Sequence, residues 1–198
     1  MCTRWYSISM IVFLDRQHVG KPNNWDDVGA VSPTDITEVW LTQQYIQHAE
    51  WRLRDLGVDV CVLSDGTYSE RHERVNTYAR GHDKSVYIAC HINAGGGTYC
   101  ATFYDYRSVK GESLAECINR KMGQRCQIEN TKALKAKPDD WTKNAYYTIK
   151  GVGQPVAVCF EPFFIDSDVH THLLTQDGLK AVGLGLADGI KLYLDTIQ

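Results

Sequence analysis

Short apolar runs rich in β-branched, aromatic and cysteine residues alternate along this chain with longer segments whose apolar residues recur at helical spacing. That alternation admits few folds. Strands covered by helices on both faces read as near-continuous apolar runs, because neither face meets water. Residues 10–14, 58–63, 85–90, 99–106 and 156–160 have this character, and residues 145–149 form a weaker sixth run. Helices are expected over 34–56, with Thr34 or Asp35 as N-cap and a stop at Gly57, and over 69–80, 111–126 and 176–194. The expected fold is α/β: a single domain with a mostly parallel twisted sheet of about six strands and helices on both faces. No linker or repeat divides the 198 residues, so the whole of 1–198 reads as one domain with no separate binding domain.

Charge and composition then remove several functions. Lys and Arg total 21 against 24 Asp and Glu, a net charge of −3, with no block of like charge, so no nucleic-acid partner is expected. No stretch approaches the roughly 18 to 20 uninterrupted apolar residues of a membrane span, so no membrane anchor is expected. The apolar run 8–14 ends at Asp15 and Arg16 without a small-residue cleavage site and reads as a buried strand. Synthesis in the cytoplasm without a signal peptide, and a monomer, are the corresponding expectations. Cys2, Cys61, Cys90, Cys100, Cys117, Cys126 and Cys159 are odd in number and form no C-x-x-C pair. They read as reduced, mostly buried thiols.

Four residues at the ends of regular elements could carry chemistry. His18 follows the first strand and His91 ends the third, and open α/β sheets gather ligands at the carboxyl edge where both would arrive. Cys90 should face away from His91, because side chains alternate along a strand, which argues against a Cys-His nucleophilic pair. Glu161 ends the strand 156–160 just before Pro162-Phe163-Phe164, where partial desolvation would raise its proton affinity. Glu38 lies in the first turn of the first helix, where the dipole favours a carboxylate with or without a metal. Together the four fit three metal ligands plus a water-activating acid. The remaining histidines, His48, His72, His82, His170 and His172, read as surface or hydrogen-bonded residues, with adventitious metal binding open to the His170-x-His172 pair. The loop 16–33 is rich in Gly, Pro, Asn and Asp and too long for a mere connection. Trp25, Tyr99, Tyr104, Trp141, Tyr146 and Tyr147 could line a groove or pack in the core.

The motifs around these residues resemble those of the zinc-dependent N-acetylmuramoyl-L-alanine amidases, over nearly the whole chain. IVFLDRQHVG is similar to the family's strand and histidine loop, and Asp27-Val-Gly-Ala to the Asp-x-Gly-Ala that follows. Glu38 stands at the family's separation from Leu56-Gly-x-x-Val60, whereas the competing Glu50 lies too late. Arg71, Asn76 and VYIACHINA resemble the Arg-to-Asn helix and the strand ending in His-x-Asn-Ala, and VAVCFEPFFID resembles the strand ending in the catalytic glutamate. Arg16-Gln17 and Val19-Gly20 depart from the usual Pro-Gly and Gly-Gly around the first histidine, and Pro162 replaces a common glycine. The resemblance implies Zn2+ held by His18, Glu38 and His91, with Glu161 as the catalytic base. It also implies peptidoglycan as substrate, cut at the amide between N-acetylmuramic acid and L-alanine by a zinc-activated water. The compact chain fits an endolysin that lyses a host cell and reaches the wall or periplasm only after release. A silent wall-binding module of the same fold and a zinc peptidase acting within the stem peptide are the alternatives.

Overall fold

The computed structural model describes residues 9–20 and 27–197. In chain order the elements are β1 (Met10–Arg16), α1 (Glu38–Asp55), β2 (Asp59–Leu63), α2 (Tyr68–Ala79), β3 (Lys84–Cys90), β4 (Cys100–Asp105), α3 (Val109–Cys126), β5 (Thr131–Ala136), α4 (Lys143–Ile149), β6 (Val156–Glu161), a 3-10 helix (Asp168–Leu174) and α5 (Gln176–Thr196). The strands form one six-stranded sheet in the order β2-β1-β3-β6-β4-β5. Strands β2, β1, β3 and β6 are parallel, β4 lies antiparallel to β6, and β5 is parallel to β4. Trp25 and Cys2, and residues 21–26 of the long first loop, fall outside the described residues.

Helices cover both faces, as the continuous apolar strands require. Val12, Leu14, Val86, Ile88, Val158 and Phe160 pack on one face against α1, α3 and α5, through Leu41, Ile46, Ile118, Met122, Leu186 and Ile190. Phe13, Tyr87, Ala89, Phe103 and Cys159 pack on the other against α2 and α4, through Val75, Ala79, Ala145 and Ile149. The first face closes tightly because α5 carries glycine at its contacts. A Cβ on Gly183 would overlap the backbone of α1 at Tyr45, and one on Gly189 would overlap α3 at Ile118. Of the six cysteines described, all free, Cys61 is half-buried and the other five are buried.

Two expectations need correction. Residues 145–149 belong to helix α4, and the sixth strand is β5 instead. Tyr146, Tyr147, Thr148 and Ile149 favour strands intrinsically, but here Ala145, Thr148 and Ile149 bury one helical face against β4 and β6. β5, TKALKA, is a half-buried sheet edge, and its lysines are the charges that protect such an edge from pairing with another chain. The first helix begins three residues later than Asp35. Ser32 Oγ accepts from the Thr34 and Ile36 amides, Asp35 is left-handed at φ 60°, and Thr37 provides the cap to the Trp40 amide.

Candidate active site

The carboxyl ends of β1, β3 and β6 lie side by side, so the residues that follow them share one edge of the sheet. The turn after β1 carries His18. His91 follows β3, and its amide donates to Phe160 O on β6 at 3.0 Å. Tyr45 Oη of α1 donates to His91 O at 3.1 Å and fixes that corner from below. Glu38 opens α1 and projects into the same space.

His18, Glu38 and His91 each place a ligand-type atom within 4.8 Å of the others, and no other such cluster occurs among the described residues. Glu38 Oε1 lies 3.0 Å from His91 Nδ1 and 3.4 Å from His18 Nε2. It also accepts from the Ile92 amide at 2.9 Å, while Oε2 accepts from the Ala30 amide at 2.9 Å. Gly29 is left-handed at φ 70°, and a Cβ there would overlap the Glu38 carboxylate, so the glycine leaves room for that side chain. On the far side of the His18 ring, Nδ1 lies 2.8 Å from Asp27 Oδ1. The Asp27 carboxylate draws the ring proton to Nδ1 and leaves Nε2 facing Glu38, the arrangement in which an outer carboxylate orients an imidazole ligand.

The protonation preferences follow from how the cluster's charges face one another. Burial would raise Glu38, but hydrogen bonds from His18 and His91 outweigh it and hold the carboxyl far below its ordinary range. Burial would lower His18, yet contacts with Glu38 and Asp27 raise it. A buried carboxylate held ionised between two imidazole rings is a site that favours positive charge at its centre. Two imidazole nitrogens and a carboxylate oxygen are also the donor set of a catalytic zinc, so the residues fit that ion.

Glu161 lines the same cavity, which measures about 470 Å³. Burial lifts its carboxyl to about 7, opposed by nearby His91 and reinforced by the Glu38 charge. Glu50, the competing first-helix acid, instead pairs with Arg54 one turn along α1 at 2.9 Å. His170 Nδ1 accepts from the Phe164 amide and His172 Nε2 meets Cys126 O, so both are engaged elsewhere. Cys90 is buried in the core on the α1 side.

Tyr68, Asn93, Asn144, Tyr147 and Thr148 complete the cavity wall. Asn144 and Thr148 escaped notice because their segment reads as a strand, and Tyr147 stood out only as one of several aromatics that could line a groove or pack in the core. As a helix, α4 puts residues three and four apart on one face and turns all three to the cavity. Asn93 belongs to HINA, and its backbone bonds to Phe163 and Ile165 tie the glycine turn after His91 to the loop after Glu161. Asp166 completes that tie, its two oxygens accepting from the Gly95 and Gly96 amides at 2.9 and 3.0 Å.

A sheet covered on both faces, with a cation-favouring His-Glu-His cluster at its carboxyl edge and a carboxyl poised near 7 beside it, defines a class of protein built for hydrolytic chemistry. The sequence profile of the N-acetylmuramoyl-L-alanine amidases matches residues 12–192, and the chain belongs to that family. None of the curated proteins matches it. Among solved structures, an N-acetylmuramoyl-L-alanine amidase from Clostridium difficile 630 is 20% identical with TM-score 0.76, the match covering 97% of this chain and 100% of that one. Cwp6 from Clostridium difficile is 22% identical with TM-score 0.78, covering 96% of this chain, which spans only 30% of the Cwp6 chain. The catalytic domain of the CD27L endolysin targeting Clostridia difficile is 20% identical with TM-score 0.61, covering 89% and 96% respectively. At these identities the structures share the fold. No helix among the described residues is long and apolar enough to cross a membrane.

Proposed function

We propose that the chain hydrolyses the amide between N-acetylmuramic acid and L-alanine in peptidoglycan, with His18, Glu38 and His91 holding Zn2+ and Glu161 carrying the proton. Family membership supports the bond, and one observation carries the mechanism: a three-donor cluster within 4.8 Å shares its cavity with a carboxyl lifted to about 7. Zinc in such a site supplies Lewis acidity toward a carbonyl oxygen and acidifies water.

The protein's own groups do the rest. Glu161, near half ionised at neutral pH, accepts a proton from the attacking water and returns it to the departing amine of L-alanine. Glu38 stays ionised, because the Ile92 and Ala30 amides and both imidazoles stabilise its charge. Asp27 holds the tautomer of His18. Asn93 and the α4 side chains Asn144 and Tyr147 wall the cavity and would orient the glycan or peptide beside it.

The role we assign is wall degradation in host-cell lysis, consistent with the shared fold of the endolysin catalytic domain. Purified peptidoglycan, treated with native, chelated and zinc-restored protein, tests the activity. Loss on chelation, recovery with zinc and a new amino terminus on L-alanine are the expected results. A new terminus inside the stem peptide would replace the amidase with a peptidase, and wall binding without any cleavage would replace it with a silent module.

A further inference from the structure

Arg71 has the largest fully buried side chain of the described residues, and the mechanism above makes no use of it. It sits on α2, beneath the turn that carries His18. Nη1 donates to Asp15 Oδ1 at 2.5 Å and to Arg16 O at 2.7 Å, and Nη2 donates to Val19 O. Nε donates to Asp65 O at 3.2 Å and Gly66 O at 3.0 Å. One guanidinium therefore joins two segments: the end of β1 with the His18 turn, and the turn between β2 and α2. The Gly66 amide donates to Gly20 O at 3.0 Å across the same junction.

Between the two pinned carbonyls, those of residues 16 and 19, the backbone at His18 is left-handed, with φ 64°. A β-carbon makes that conformation costly, and such a residue persists where its surroundings hold it. Stability is a poor reason for the Arg71–Asp15 pair, since both side chains are fully buried and apolar residues of the same size commonly serve as well. What an apolar pair cannot supply is a planar fork of donors aimed at the carbonyls on either side of His18.

We infer that Arg71 is a positioning residue for the metal centre: it holds the His18 turn in its left-handed form and so sets the affinity for the cation. Asp15 orients the guanidinium and is itself held by Tyr87 Oη at 2.5 Å. The inference rests on the reading of His18 as a ligand. Asn76 is its natural control. It lies on the same helix and clamps the turn after α4, donating to Gly151 O at 3.0 Å and accepting from the Gly153 amide at 2.8 Å, away from the His18 turn.

The test is zinc affinity, measured by competition with a chromophoric chelator, alongside thermal unfolding of the metal-free protein. Wild type, His18→Ala, Arg71→Lys and Asn76→Ala are compared. Lysine keeps the charge opposite Asp15 but cannot reach the carbonyls of 16, 19, 65 and 66 together. Arg71→Lys should weaken zinc binding by about 10- to 100-fold, the usual range for an outer-shell partner. Asn76→Ala should leave it within about twofold even where it lowers the unfolding temperature as much. If Arg71→Lys does not fold, Asp15→Asn combined with Arg71→Gln removes both buried charges and most donors, and the same loss is expected. Wild-type affinity in whichever of these variants folds overturns the inference while leaving the zinc site standing. Zinc binding that His18→Ala does not weaken would instead overturn the assignment of His18, and the inference with it.

Discussion

The carboxyl edge of the sheet and the face formed by α1, α3 and α5 are built on opposite rules. At the edge, Glu38 is buried, Glu161 carries a carboxyl lifted to about 7, and His18 adopts a left-handed backbone. On the face, Ile118, Met122, Leu186 and Ile190 interdigitate without a charge, and glycines on α5 bring three helices together. The edge concentrates groups that cost stability, and the face supplies the stability that retains them. Substitutions at the edge should therefore change chemistry with little harm to folding, and substitutions on the face should do the reverse.

The sharpest separation comes from Glu161→Gln. The amide keeps the shape but cannot accept the proton, so turnover on peptidoglycan should fall by about 10²- to 10⁴-fold. Zinc affinity should change little, and at neutral pH the unfolding temperature of the metal-free variant should equal or exceed that of the wild type, because a buried charge has been removed. An unfolding temperature well below wild type would show that Glu161 is part of the scaffold.

Ile118→Ala is the converse. Ile118 is fully buried where α3 meets Gly189 of α5, and truncation there should cost about 2 to 5 kcal/mol in denaturant unfolding. Activity per folded molecule should stay within a few-fold of wild type. A larger loss in turnover at full folding would mean that the face communicates with the edge.

Acidity probes the edge through Glu161. The Glu161 carboxyl titrates near 7 in the folded protein against an ordinary value of 4.5. Below 4.5 both folded and unfolded chains hold the proton, so the full stability is present. Between 4.5 and about 7 the folded state binds the proton that the unfolded state has lost, so stability falls as pH rises, by about 3 kcal/mol in total. Unfolding of the metal-free protein across this range should show the decline, and Glu161→Gln should flatten it. An unchanged slope in the variant would assign the effect to another group.

The same contrast explains what was legible in the sequence. The runs at 10–14, 85–90 and 156–160 declare themselves as strands because parallel strands under two layers of helix have no polar face, and His18, His91 and Glu161 follow from where those strands stop. Glu38 came into view by its place at a helix start, but only the fold puts its carboxylate 3.0 Å from His91. β5 was obscured by the lysines of an edge strand, and α4 by a Tyr-Tyr-Thr-Ile stretch whose local preference tertiary packing overrides. Asn144 was lost with α4, and Tyr147 could be read only as an aromatic for a groove or the core. Asp27 was visible as a motif, yet its bond to His18 is made nine residues away along the loop and exists only in the folded chain.

The smallest expected effect concerns the rim of the helical face. Asp188 on α5 accepts from Arg52 Nε of α1 at 3.0 Å and from Arg125 Nε of α3 at 2.8 Å, tying three helices where they emerge from the core. Its partial burial would raise the carboxyl, but the hydrogen bonds from Arg125 and Arg52 outweigh this and lower it from 3.8. A depressed acid contributes stability that is present above its ordinary value and lost as pH falls through its folded one. The arginines are partly exposed, so solvent screens the pair, and Asp188→Asn should cost only about 0.5 to 1 kcal/mol, less at high salt. Catalysis should not change. A cost of several kcal/mol, insensitive to salt, would mean that these helices depend on the ion cluster as well as on their apolar contacts, and the division between a costly edge and a purely apolar support would have to be redrawn.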